Sequence, residues 1–112
     1  MNLANIGIDI VEIHRLRAAL RKKKNGFFTS TFSDAERTYC LSYKDPAPHF
    51  AGTFAAKEAV QKALGVNSAA GIEIRRDKDG RPSVWTNGKR TRIRISITHE
   101  RSVACAVALR LT

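Results

Sequence analysis

No run of 18 or more apolar residues occurs in this 112-residue chain, so nothing in it is long enough to span a bilayer as a helix. The opening MNLANIGIDIVEI lacks the charged-then-apolar pattern of a secretory signal. Cysteine is limited to Cys40 and Cys105, two isolated thiols without metal-ligand spacing. A cytoplasmic protein with two free, buried cysteines fits these absences better than one with a disulfide between them. Aromatics are scarce at 7%. No internal repeat and no low-complexity tract is present. Acidic residues are also few: ten against twenty lysines and arginines leave a formal charge of +10. An anionic partner is expected, whether nucleic acid, phosphate ligand, anionic lipid or acidic protein.

What is present suits a globular chain, with 43% apolar residues and length for a single domain, 1–112. Such a chain builds one core but no capacious pocket of its own, so a deep small-molecule site would form at a subunit interface. Residues 6–13 alternate Ile6, Ile8 and Ile10 against Gly7 and Asp9, a β-branched strand whose second face carries a carboxylate. A helix follows from Ile13 to Lys24, ending at Asn25-Gly26 as a C-cap. Ser33-Asp34-Ala35-Glu36 reads as a capping box opening a helix to Tyr43. Asp45-Pro46-Ala47-Pro48 breaks the chain before a third helix, His49 to Leu64, stopped by Gly65. Strands are then expected at Ile72–Arg75, Pro82–Thr86, Arg92–Ile97 and Val103–Leu111, with turns at Asp77–Gly80 and Asn87-Gly88 and a break at Thr98–Ser102. The order β-α-α-α-β-β-β-β predicts an α+β domain, three helices on a largely antiparallel sheet.

Three groupings carry the polar chemistry. In FAAKEAVQKALG, residues 54–65, the side chains of Lys57, Glu58, Gln61 and Lys62 fall within an arc of roughly 140°, while the rest of the helix is mostly alanine, valine and leucine. The stripe is either a solvated face with a Glu58–Lys62 ion pair or a carboxylate for a metal with ammonium groups for phosphates. Asp9 is either an edge-strand aspartate facing water or a second metal carboxylate; a lone carboxylate in an apolar strand is costly unless paired. One carboxylate on a strand and one on a helix make the sparse ligand set that Mg²⁺ takes, since Mg²⁺ keeps several waters and binds substrate phosphates. The basic helix bearing Arg15, Arg17, Arg21 and Lys22–Lys24 is a solvated face or a dock for an acidic helix or phosphate backbone. His99, in ISITHE, binds phosphate or caps a turn.

Taken in order, GIDIVEIHRLR, FAAKEAVQKALG, DKDGRPSV and ISITHERSVACAVAL resemble the holo-[acyl-carrier-protein] synthases, small bacterial-type members of the 4′-phosphopantetheinyl transferase family. The resemblance covers nearly the whole chain, and its motifs are specific in combination. It implies transfer of 4′-phosphopantetheine from coenzyme A to a serine of an apo acyl carrier protein, releasing adenosine 3′,5′-bisphosphate, by a homotrimer with sites at its subunit interfaces. By match to the family pattern, Asp9 and Glu58 hold Mg²⁺, with Glu58 or metal-bound water as the base for the serine. Lys62 neutralises the leaving phosphate, and Lys57 holds other phosphate oxygens. Pro82, Ser96 and His99 lie near the adenosine-3′-phosphate end of coenzyme A. Arg15, with Arg21 and Lys22, docks the acidic carrier-protein helix. One position departs from the pattern: the family commonly has a basic residue where Thr53 stands, so a contact is missing or supplied by His99 or an arginine of Arg90–Arg94. The rival reading is a small basic nucleic-acid-binding module. It accounts for the charge, but aromatics are few, no recognition motif is present and Asp9 and Glu58 go unexplained. Neither nucleic acid nor membrane is therefore expected as a partner.

Overall fold

The structure, a computed structural model, describes residues 2–112. Its longest strand, β1 (Leu3–Glu12), runs along the edge of a three-stranded antiparallel sheet in the order β1-β6-β5, with β6 at Val103–Leu111 and β5 at Arg94–His99. A second antiparallel sheet is formed by β2 (Ile72–Arg76), β3 (Pro82–Thr86) and β4 (Lys89–Arg90). Between β1 and β2 lie four helices: α1 (Ile13–Arg21), α2 (Asn25–Thr31), α3 (Asp34–Leu41) and α4 (Ala47–Leu64). The α+β class and the antiparallel pairing match the expectation. The single sheet and the count of three helices do not.

The extra helix falls where Asn25-Gly26 was expected to stop one. Helix α1 ends at Arg21, and the chain turns through Lys23 at a positive φ of 51°. It then re-enters a helix that carries Phe27 and Phe28 into contact with Phe32, Phe50 and Phe54. All five phenylalanines of the chain thus share one cluster, and burying those rings outweighs the local preference of Asn-Gly for a turn. Strand β4 was missed for a related reason. Asn87 and Gly88 both have positive φ, 50° and 80°, so they form a hairpin turn that returns the chain for only two residues of pairing. The capping box is present: the Ser33 hydroxyl accepts from the Glu36 N–H at 3.1 Å, and the Glu36 carboxylate accepts from the Ser33 N–H at 2.8 Å.

Helix α4 is buried on most of its circumference and crosses β1 and β6. Its approach to β1 is set at Gly7, where a Cβ would lie 1.9 Å from the Ala59 carbonyl oxygen. Only glycine admits a helix backbone that close. The packed face of β1 is therefore that of Gly7, Asp9 and Val11, while Ile6, Ile8 and Ile10 point away and are 54–64% exposed. Asp9 stands on the helix-covered side of an edge strand. No helix among the described residues is long and apolar enough to cross a membrane.

Candidate active site

Because α4 lies directly on β1, its Lys62 meets Asp9. The Lys62 ammonium donates to the Ile8 carbonyl at 2.8 Å and approaches the Asp9 carboxylate at 3.4 Å. Asp9 is only 19% exposed and Lys62 56%, so this pair sits at the rim of the helix–strand junction. The Glu58–Lys62 pair of the solvated-face reading is absent, since Lys62 reaches across to the strand. Glu58, one turn earlier on α4, is half-buried and makes no side-chain hydrogen bond or ion pair among the described residues. It lines a cleft of about 690 Å³ with Thr31, Ser33, Lys57, Gln61 and Glu73.

One carboxylate on β1 thus pairs with Lys62, and the other stands one helical turn before that lysine on α4. Among the described residues no group of three or more histidine, cysteine, aspartate or glutamate side chains could hold a metal. That is too few ligands for a structural zinc site, but the all-oxygen pair suits a hard cation that keeps water and takes the rest of its shell from a phosphate. The donor chemistry of Asp9 and Glu58 fits Mg²⁺.

Lys57 departs from the stripe. It is 6% exposed, and its ammonium donates to the Thr31 carbonyl at 2.9 Å and to the buried Glu36 carboxylate at 2.8 Å. Helical spacing gave it the right azimuth but not its depth, which is set by α2 and α3 folding over that side of α4. Thr53 is likewise buried, with its hydroxyl 3.6 Å from the Cys40 sulfur. Both cysteines are free, Cys40 buried and Cys105 half-buried; burial pushes the Cys40 thiol up to about 11.

The remaining candidates lie elsewhere in the chain. Pro82 lines a separate groove of about 720 Å³ with Arg75, Arg81, Trp85, Arg90 and Arg94. Ser96 and His99 are exposed on β5. His99 pairs in register with Ala104, and Ala104 with Val11, so two strand spacings, about 10 Å, separate His99 from β1. Its ring packs edge-on against His49, centroids 5.5 Å apart, and His49 stacks on Tyr43. Burial, then the neighbouring His99 and Arg76, hold the His49 imidazole below its ordinary value. One chain therefore joins Asp9 to Lys62 and sets Glu58 with Lys57 along the neighbouring cleft, while Pro82 lines a different groove and Ser96 and His99 lie on β5. Arg15 and Arg21 on α1 and Lys22 at its C-terminal cap are all exposed. Arg15 and Lys24 edge an apolar pocket of about 260 Å³ formed by Val11, Leu16, Ala19, Phe27 and Phe54, whereas Arg17 pairs with Asp45 at 2.6 Å. The pocket was not foreseen, because two of its walls come from the unexpected helix and from the partly buried face of α4.

Comparison with known proteins bears on this arrangement. Residues 5–108 match the model of the 4′-phosphopantetheinyl transferase superfamily. The chain is 44% identical over 111 residues to the holo-[acyl-carrier-protein] synthase of Chlorobaculum tepidum, an alignment covering 93% of this chain and 95% of that one. It superposes with a TM-score of 0.80 on the crystal structure of a holo-(acyl-carrier-protein) synthase from Bacillus anthracis in complex with CoA (3′,5′-ADP), at 32% identity and covering 96% of this chain and 95% of that one. For the Helicobacter pylori holo-[acyl-carrier-protein] synthase in complex with coenzyme A the TM-score is 0.79 at 31% identity, with 92% and 96% covered.

Proposed function

The chain belongs to the 4′-phosphopantetheinyl transferase superfamily, among its holo-[acyl-carrier-protein] synthases, and on that premise we propose that it moves the 4′-phosphopantetheine of coenzyme A onto a serine of an apo acyl carrier protein. The observation that carries the proposal is the junction of α4 and β1, where Asp9 approaches Lys62, one helical turn after Glu58. The serine oxygen attacks the phosphorus that carries pantetheine. The bond from that phosphorus to the oxygen bridging it to the adenosine side breaks, and adenosine 3′,5′-bisphosphate leaves. Asp9 and Glu58 would hold Mg²⁺, which when bound supplies positive charge beside the pyrophosphate oxygens. Glu58, free of internal partners, accepts the serine proton. Lys62, already at the rim of the junction, stands where its ammonium offsets charge growing on the departing phosphate.

The carrier protein docks on α1. Exposed Arg15, Arg21 and Lys22 meet acidic side chains, and the apolar pocket beside Arg15 takes an apolar side chain of the same partner helix. The active enzyme is a homotrimer. Support comes from the uncovered face of β1, where Ile6, Ile8 and Ile10 sit in register with Leu109, Val107 and Cys105 of β6, an apolar sheet surface that suits burial against another copy. The separation of Pro82, Ser96 and His99 from Asp9 within one chain agrees, since a neighbouring copy would bring such residues to the coenzyme A end of the site.

The direct test is to incubate the protein with coenzyme A, Mg²⁺ and an apo carrier protein and weigh the carrier by mass spectrometry. A gain of one phosphopantetheine is expected. Asp9→Ala and Glu58→Ala are each expected to abolish it with the fold intact, and near-normal turnover by either would remove the metal assignment. Sedimentation velocity tests the trimer, and a monomer at assay concentration would exclude it.

A further inference from the structure

We infer that Glu36 is a positioning residue of this site, acting through Lys57; the inference rests on the transferase reading and names a residue that reading does not use. Glu36 is 2% exposed and lies behind the cleft. Its two oxygens accept from three donors on three elements. One takes the Ser33 N–H at 2.8 Å and the Lys57 ammonium at 2.8 Å, and the other takes the Ile74 N–H at 2.7 Å. Lys57 adds a fourth attachment by donating to the Thr31 carbonyl at the end of α2. The Glu36–Lys57 pair therefore ties α2, α3 and β2 to the turn of α4 that carries Glu58.

A helix cap needs only the Ser33 contact. A cap does not require a buried ion pair, and pairs of this kind contribute little net stability against apolar residues of similar volume. What Glu36 adds is a fixed place for a cation in the wall of the cleft, next in sequence to Glu58. Lysine has three N–H groups and two are used here, which leaves one for a phosphate oxygen. A charge held in one place acts on bound coenzyme A before and during transfer alike, so its loss falls on KM more than on kcat.

Steady-state kinetics and melting temperatures of three variants decide the matter. Glu36→Gln is expected to raise KM for coenzyme A about tenfold, with kcat and KM for carrier protein within about threefold, and to lower the melting temperature because Lys57 loses its charged partner. Lys57→Met is expected to raise KM for coenzyme A by a similar factor. The double variant is expected to raise it no further than either single one while regaining melting temperature, since no buried charge is left unpaired. A purely structural pair would instead recover KM together with stability, which overturns the inference, as does an unchanged KM in a folded Glu36→Gln protein. Should Glu36→Gln fail to fold, Glu36→Asp keeps the charge one methylene short, and a KM for coenzyme A equal to wild type there is equally fatal. A wild-type protein that leaves apo carrier unmodified removes the transferase reading and this inference with it. Transfer by wild type with an unmoved KM in the variants removes the inference alone.

Discussion

Replacing Gly7 by alanine adds one methyl group in the middle of the strand–helix contact. Its carbon would stand 1.9 Å from the Ala59 carbonyl oxygen and 2.9 Å from the Ala63 nitrogen. Both obstacles are backbone, so no side-chain rotation relieves them. Restoring an ordinary contact requires α4 to retreat from β1 by about 1.5–2 Å. Such a retreat stretches the Lys62–Ile8 hydrogen bond, now 2.8 Å, past its useful range and carries Glu58 away from Asp9. Overpacking of this type costs about 1–3 kcal/mol, and a rigid backbone clash belongs at the upper end. For a domain of this size about 3 kcal/mol lowers the melting temperature by about 10–15 °C. Gly26→Ala is the control: nothing lies within 4 Å of a Cβ there, and alanine in a helix stabilises by about 0.5–1 kcal/mol relative to glycine. Differential scanning fluorimetry with the carrier-modification assay reads both effects. A Gly7→Ala protein that melts within about 2 °C of wild type and turns over normally would refute the close-approach argument.

Lys62→Ala is expected to lower kcat about 100-fold or more with a smaller change in KM for coenzyme A, and Lys62→Arg to recover only part of it, because a planar guanidinium places its charge differently; a normal rate in Lys62→Ala would leave the residue a mere tether of β1. Arg15→Glu is expected to raise KM for carrier protein while leaving KM for coenzyme A alone, and to flatten the rise of the carrier KM with salt that wild type shows, since salt at 0.1 M screens exposed charges beyond about 10 Å and the variant has less attraction to lose; equal rises in both constants would move the docking surface elsewhere. Burial raises the Cys40 thiol to about 11, so the neutral thiol favours the folded state. That contribution is intact below the unfolded thiol's range and is lost as pH rises through about 9 to 11. Urea melts are expected to show wild type losing about 2–3 kcal/mol more than Cys40→Ala over that window, and parallel losses would contradict it.

Local chemistry made much of this fold legible from residues alone. The Ser33–Glu36 cap, the Gly65 stop of α4 and the alternation of β1 each depend on neighbours a few positions away, and each was found close to its expected place. The helix at Asn25–Thr31 was not legible, since its reason is the aromatic cluster that Phe27 and Phe28 join from a distance. Asp9 and Glu58 stood out as carboxylates in apolar company, which is a signal the sequence carries. Glu36 did not, because the cap accounts for its position and hides its second partner. Lys57 was placed on the right side of its helix, but helical angle says nothing of which elements close over it. The roles of Pro82, Ser96 and His99 came only from resemblance; no periodicity within one chain describes what a second chain would bring.

The isoleucine face of β1 ties the fate of the fold to how much protein is present. If copies cover that face, unfolding must also uncover Ile6, Ile8 and Ile10, so folding and assembly form one equilibrium and the melting temperature climbs with concentration. Dilution would then weaken the enzyme before any ligand does. A freshly made chain would meanwhile carry an unpaired strand edge and an apolar surface until it met its fellows, the circumstance in which strands join the wrong neighbours. Abundance would then be a condition of the native state rather than a consequence of it.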